Sequence, residues 1–170
     1  MNFLEKVDKY SDAGQLPPKI ADTLRQFYNS YKKAVEQNRG QIETCHPVLN
    51  QFLDEIIAQL KSPFMFSPNH QKIISPFDYF QFGKDFIRPL VQLESSKVLG
   101  LDRVNEIESH LARGENVVLF ANHQTEPDPQ AINLLLENTH PELTKKMIVV
   151  AGHRVTTDPL AVPLSKGLNL

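Results

Sequence analysis

Residues 117–129, with the sequence VVLFANHQTEPDP, decide how the rest of this chain is interpreted. The uninterrupted apolar run 117–121 is typical of a strand that is covered on both faces of a sheet. Polar residues follow abruptly, and Pro129 with the apolar residues after it predicts that a helix begins there. This order of strand, loop and helix predicts an open α/β sheet, in which ligands bind beyond the carboxyl ends of the strands.

Two side chains in the predicted loop, His123 and Asp128, have the chemistry of a general base and of the carboxylate that orients it. The carboxylate can fold back across the loop and accept a hydrogen bond from one ring nitrogen, which fixes the tautomer and stabilises the imidazolium. No serine lies in this stretch, so the hydroxyl to be activated has to come from the substrate. The loop therefore predicts acyl transfer to a hydroxyl, to which positioned proton transfer contributes roughly 100- to 10,000-fold.

The spacing of these two residues has little specificity by itself, because the chain contains it twice. His153 and Asp158 repeat it, and they also follow an apolar run, 147–151, and precede a proline. An Asp before Pro is a common way to begin a helix, and a His in a loop is often only a polar surface residue. The spacing alone leaves both copies open as functional sites and leaves a structural role open for each.

The wider sequence separates the two copies, because NHQTEPDP at 122–129 closely resembles the signature of the soluble, plastid-type glycerol-3-phosphate 1-O-acyltransferases, which also occur in some intracellular bacteria. The catalytic residues of this His-x4-Asp acyltransferase superfamily correspond to His123 and Asp128, whereas the position of His153 is commonly an Asp in the family. The resemblance covers the chain from about Leu16. Further stretches that match in order and spacing are 16–18, 76–79, 86–90, 114–119, 150–152 and 154–155.

The resemblance implies an enzyme that moves a fatty acyl group from acyl carrier protein or a coenzyme A thioester to the 1-hydroxyl of glycerol 3-phosphate. The product is lysophosphatidate, in the first step of phospholipid synthesis. His123 is then the general base and Asp128 orients it. Gln124 and Thr125 within the motif, and Arg154 as a nearby cation, are candidates for binding substrate. No metal and no tightly bound cofactor are expected. Two alternatives stay open: a relative that acylates another acceptor such as lysophosphatidate, and a non-catalytic binding remnant of the family.

The composition predicts a soluble globular protein, since the 170 residues are 41% hydrophobic and 22% charged. A net charge of −2 gives no electrostatic case for binding nucleic acid or an anionic membrane. The single cysteine excludes an internal disulfide and a cysteine-based metal cluster. No stretch reaches the about 18 apolar residues of a transmembrane segment, and the N-terminus lacks the features of a targeting peptide. We therefore expect a cytoplasmic protein, or a stromal one if it is a processed plant or algal form.

The rest of the chain predicts two structural units of an α/β protein. Three amphipathic helices within residues 1–62 are expected to form an antiparallel helical domain, and a Pro- and aromatic-rich connector follows at 63–75. Residues 76–170 are expected to begin an α/β acyltransferase domain. Its mostly parallel sheet is predicted to contain strands 117–121 and 147–151, joined by a right-handed helical crossover.

The expected acyltransferase domain lacks parts that the resembled family carries further along, among them a pair of basic residues that holds the substrate phosphate. The family's Gly-Arg-Asn-type turn corresponds to the end of this sequence, where Leu168 stands at the arginine position. Arg154, Lys145 and Lys146 are the nearby cations that could hold a phosphate instead. We therefore expect the N-terminal portion of an acyltransferase, whose short sheet has an exposed edge and an uncovered face.

Overall fold

A computed structural model describes all 170 residues, and its regular secondary structure is entirely helical. A short 3-10 turn, Arg88–Leu90, continues the fourth helix. None of the helices combines the length and the apolar character that crossing a membrane requires. The helices are α1 (Phe3–Asp12), α2 (Pro18–Gln37), α3 (Ile42–Lys61), α4 (Tyr79–Ile87), α5 (Leu101–Ala112), α6 (Asp128–Leu136), α7 (Pro141–Lys146), α8 (Arg154–Thr157) and α9 (Val162–Ser165).

The three helices predicted within residues 1–62 are present, and their apolar stripes pack against one another. A reciprocal pair of hydrogen bonds between Asn2 and Glu5 begins α1, which is the capping-box arrangement. Fully buried side chains come from all three helices, among them Phe3, Leu24 and Leu49. Since most residues of the hydrophobic core come from α1, α2 and α3, these helices form the most complete part of the fold.

Helix α4 extends this core into the second half of the chain. The ring of Phe86 lies 4.7 Å from that of Phe52 and 5.9 Å from that of Phe27, measured between centroids. The Tyr31 hydroxyl donates a hydrogen bond of 2.7 Å to the carbonyl of Phe86. The same core therefore contains residues from both sides of the 63–75 connector, and a domain boundary at that connector stays a prediction.

The two strands predicted at 117–121 and 147–151 are not formed, and the parallel sheet expected from them is absent. Residues 115–124 have no regular secondary structure, and the side chain of Phe120 is 96% exposed. In the second segment a single parallel bridge joins Ile148 to Asn169. A strand needs neighbours that pair its backbone N–H and C=O groups and a layer that covers its side chains. Residues 117–121 have neither, and the backbone of 147–151 pairs only through this bridge and the hydrogen bond from Val149 N–H to the carbonyl of Asn169. An apolar run indicates that a segment is suited to burial, but it does not say which residues will cover it.

The last residues of the chain are held against the N-terminal helices. The ammonium of Lys166 lies 3.2 Å from the carboxylate of Glu55 on α3 and 3.3 Å from the hydroxyl of Tyr79 on α4. Gly167 passes so close to the carbonyl of Tyr79 that a Cβ at this position would collide with it, which explains a residue without a side chain here. These contacts tie the last residues of the described chain to α3 and α4.

Candidate active site

Asp128 is the first residue of α6, and the loop before it is folded around its carboxylate. The carboxylate accepts hydrogen bonds from the backbone N–H of Gln124 at 2.8 Å and from that of Thr125 at 3.1 and 3.2 Å. Its Oδ2 atom also lies 2.9 Å from Nδ1 of His123. Pro129 lies in the first turn of α6, where a missing backbone N–H leaves no helical hydrogen bond unmade. The predicted catalytic pair is therefore brought together by local structure.

The contact with Asp128 leaves the Nε2 atom at the other edge of the His123 ring available for chemistry. When Asp128 accepts a hydrogen bond from Nδ1–H, the other ring nitrogen, Nε2, carries a free lone pair. No protein group forms a hydrogen bond with Nε2, and the His123 side chain is 68% exposed. An imidazole oriented in this way can take a proton from an approaching hydroxyl, and the carboxylate then stabilises the imidazolium.

The groups around Asp128 lower the pKa of its carboxyl below the ordinary value. Partial desolvation is the largest single influence and raises the pKa, but the other influences together outweigh it. These are the hydrogen bonds from the backbone of Gln124 and Thr125 and the contact with His123. A lowered pKa keeps Asp128 ionised, and the ionised carboxylate is the form that orients and stabilises an imidazolium.

The second His-x4-Asp copy does not form such a pair. Asp158 directly follows α8 and accepts a hydrogen bond of 2.9 Å from the backbone N–H of Leu160. His153 directly precedes α8, and its Nδ1 atom lies 3.5 Å from the hydroxyl of Thr157. No hydrogen bond joins the two, because a helical turn separates them, whereas residues 124–127 of the first copy form a loop that folds back.

Comparison with known proteins gives two family matches within this chain. The glycerol-3-phosphate acyltransferase N-terminal model matches residues 1–64, and the acyltransferase model matches residues 97–170. The chain belongs to the glycerol-3-phosphate acyltransferase family. This confirms the family that the motif at 122–129 suggested, and both His-x4-Asp copies lie within the second match.

Curated relatives of this acyltransferase family member match over nearly its whole length. It is 43% identical to the chloroplastic glycerol-3-phosphate acyltransferase ATS12 of Cucurbita moschata, over 99% of this chain and 37% of the relative. It is 40% identical to the chloroplastic glycerol-3-phosphate acyltransferase of Carthamus tinctorius, with the same two coverages. The chain thus spans a little over a third of the length of the curated relatives that it matches. The compartment of this chain itself stays a prediction.

Of the cations that could bind a phosphate, Arg154 lies beside the motif loop (residues 122–127) of this acyltransferase family member. Its guanidinium lies 3.6 Å from the carboxylate of Glu126, and its side chain is 75% exposed. Lys145 is paired with Glu142 on α7 at 2.7 Å, and Lys146 is exposed on the same helix. Arg154 is therefore the cation that is in contact with the loop of His123.

Two residues to which the sequence pattern assigns no role, Glu126 and Arg88, make contacts near the candidate site. Glu126 joins the first His-x4-Asp stretch to the second through Arg154 of α8, and Arg88 binds Glu137 at the end of α6. Both contacts link residues that are far apart in the sequence, so no local sequence pattern predicts them.

The other substrate-binding candidates, Gln124 and Thr125, contact Asp128 through their backbone N–H groups. The described chain contains no group of three or more His, Cys, Asp or Glu side chains placed to hold a metal ion.

Proposed function

We propose that this chain forms the N-terminal portion of a glycerol-3-phosphate 1-O-acyltransferase and that His123 is its general base. The observation that carries the proposal is the 2.9 Å contact between Nδ1 of His123 and Asp128, within a match to the acyltransferase family. The names of the curated relatives support glycerol 3-phosphate as the acceptor. Those names also call the relatives chloroplastic, which supports a plastid stroma over a cytoplasmic location.

In the proposed reaction the 1-hydroxyl oxygen of glycerol 3-phosphate forms a bond to the acyl carbon of a thioester, and the carbon–sulfur bond breaks. Nε2 of His123 takes the hydroxyl proton as the oxygen attacks and gives a proton to the leaving thiolate. Asp128 holds the ring and stabilises its charged form between these two steps. The products are lysophosphatidate and the free thiol of the acyl carrier, which we propose to be acyl carrier protein or coenzyme A.

Arg154 is our proposed partner for the substrate phosphate. Its support is the contact with Glu126, which holds the guanidinium next to the motif loop, and its high exposure. A guanidinium presents several N–H donors in one plane and can bind a phosphate through two of them. The side chains of Gln124 and Thr125, whose backbone is already used by Asp128, are proposed to contact the glycerol part of the substrate.

We also propose that 117–121 and 147–151 become neighbouring parallel strands once partners for pairing are present. Their support is the exposure of apolar side chains such as Val118 and Val150, at 72% and 98%. The backbone of residues 116–123 makes no hydrogen bond to another backbone group. Parallel pairing would place the two His-x4-Asp loops side by side at the carboxyl edge of a sheet, in agreement with the contact between Arg154 and Glu126.

The test is an acyl-transfer assay with labelled glycerol 3-phosphate on the monodisperse 170-residue chain, beside a version that includes the remaining acyltransferase domain. We expect turnover only in the longer version, because positioning of both substrates contributes about 7 to 11 kcal/mol in favourable cases. His123→Ala in the longer version is the control and should remove at least about 100-fold of the rate.

Three other outcomes would each replace part of the proposal. Comparable turnover by both versions would mean that residues already present hold the phosphate, with Arg154, Lys145 and Lys146 as the first to mutate. Acylation of lysophosphatidate but not of glycerol 3-phosphate would favour the alternative acceptor. Binding of substrate without turnover in either version would favour a binding remnant of the family.

A further inference from the structure

The motif loop is attached to the folded core almost entirely through Asp128. Every residue from 116 to 126 is exposed, and the backbone of 116–123 makes no hydrogen bond to another backbone group. The hydrogen bonds from His123 and from the backbone of 124–125 all go to the Asp128 carboxylate. The position of the His123 ring is therefore set by the position of α6, the helix that Asp128 begins.

Helix α6 is in turn seated on α4 through one of its faces. Gln130, Leu134 and Glu137 are spaced at i, i+4 and i+7, which places them along the same side of a helix. Leu134 is 2% exposed and joins the core to which Phe82 of α4 belongs. Near the beginning of α6, a Cβ on Gly83 would lie 3.2 Å from Cγ of Gln130, so the two helices approach closely there.

An ion pair holds the C-terminal end of the same face of α6. Glu137 directly follows α6, and its two carboxylate oxygens lie 2.7 and 3.0 Å from the two terminal nitrogens of Arg88. The ammonium of Lys84 lies 3.3 Å from the same carboxylate, and the Glu137 and Lys84 side chains are only 17% and 12% exposed. Two parallel hydrogen bonds fix the orientation of the partners as well as their distance. The contact therefore sets how far α6 can slide or turn on α4.

We propose that Arg88 and Lys84, acting through Glu137, are positioning residues for the pair formed by His123 and Asp128. Glu137 lies about 14 Å along α6 from Asp128, at a rise of about 1.5 Å per residue, and a short helix moves as one body. A slide or rotation at the Glu137 end moves the carboxylate that holds the His123 ring. A misplacement of about 1 Å at a reacting group costs about 100-fold in rate. This inference rests on the proposed function, because it concerns the base of that reaction.

The main test compares Glu137→Gln with a matched control, Glu55→Gln. Glu55 also forms a buried ion pair, with Lys166, in which the two side chains are 12% and 11% exposed, but it lies on α3 and does not hold α6. The readout is the ¹⁵N NMR signal of the two ring nitrogens of His123, which reports where the proton lies. Glu137→Gln should shift these signals towards those of Asp128→Asn, while Glu55→Gln should lower the melting temperature and leave them unchanged.

Unchanged His123 signals in Glu137→Gln, or equal shifts in Glu137→Gln and Glu55→Gln, would overturn the inference. If Glu137→Gln does not fold, Arg88→Lys keeps the charge with only one hydrogen bond, and it should shift the ring signals by an intermediate amount. In the longer, active protein Glu137→Gln should lower kcat by about 10- to 100-fold and leave KM for glycerol 3-phosphate unchanged. The NMR result does not depend on turnover, so a failure of the proposed reaction remains distinguishable from a failure of this inference.

Discussion

The two His-x4-Asp stretches of this chain have the same spacing, a similar apolar run before them and a proline after them, yet only the first forms a pair. In the first, the helix begins at Asp128, and side chains on a helix tilt towards its N-terminus, so the carboxylate reaches back over the loop. In the second, helix α8 fills the spacer, and His153 and Asp158 lie at its opposite ends. The place where a helix begins, and not the spacing, decides whether the two side chains meet.

The two carboxylates consequently serve different purposes. Asp128 receives donors from the loop before it, which places His123 and keeps the carboxyl ionised. Asp158 receives the backbone N–H of Leu160 after it and lies 3.5 Å from Nε of Arg154. The first carboxylate therefore organises a site, and the second stabilises a turn between two short helices.

The two largest expected effects are those of Asp128→Asn and His123→Ala on the rate of acyl transfer in the longer protein. Asn can still accept the backbone N–H bonds that begin the helix, so the variant should fold. It loses the charge that fixes the tautomer of His123, a change that lowers kcat up to about 10,000-fold in the well-studied serine protease case. Asp158→Asn is the matched control and should have little effect on kcat. A fully active Asp128→Asn variant would reduce Asp128 to a helix cap.

The variant His123→Ala should lose at least as much rate as Asp128→Asn, because Asp128 acts through His123, and His153→Ala is its matched control. Loss of a general base should lower kcat at least about 100-fold, whereas His153 has no carboxylate partner and its removal should change kcat little. Circular dichroism should show that both variants are folded before rates are compared. If His153→Ala were the more damaging of the two, the assignment of the base would be wrong.

Asp158→Ala should affect stability and leave kcat nearly unchanged. The substitution removes the acceptor for the backbone N–H of Leu160, and one such hydrogen bond contributes about 0.5 to 1.5 kcal/mol to the free energy of unfolding. Denaturant unfolding monitored by circular dichroism measures this difference. A loss of activity in parallel with the loss of stability would show that the second stretch supports the site after all.

The smallest expected effect is the acid response of the first loop. The pKa of Asp128 is lowered in the folded protein, while an unfolded Asp titrates near about 3.9. The stabilisation that comes from its ionised form is therefore fully present above that value and is lost as the pH falls through the lowered pKa. The difference in unfolding free energy between the native chain and Asp128→Asn should shrink on going from neutral pH to below about pH 4. A pH-independent difference would contradict the lowered pKa.

The N-terminal helices and the contact between His123 and Asp128 were predictable from the sequence because both depend on nearby residues. The backbone hydrogen bonds of α1, α2 and α3 close within each helix, so the apolar period and the end signals were enough to find them. The contact between His123 and Asp128 forms within one loop and the first residue of one helix. The residues of the motif at 122–129, through their resemblance to a known family, selected this copy over the second. The strands predicted at 117–121 and 147–151 are not formed in this structure, because the hydrogen bonds and the cover of a strand come from other parts of a fold and an apolar run does not reveal them.

By itself the sequence determined the family, the helical N-terminal part and the identity of the candidate base and its carboxylate. Only the three-dimensional structure decided that a helix separates His153 from Asp158 in the second copy and that Arg154 lies beside the motif loop. It also decided that Arg88 binds Glu137 at the end of the helix that carries Asp128. The physical reason is the separation of the contacting residues along the chain. Periodicity and motifs encode contacts between residues that are close in the sequence. Ion pairs between distant residues depend on how the helices pack, and that packing is a property of the whole fold.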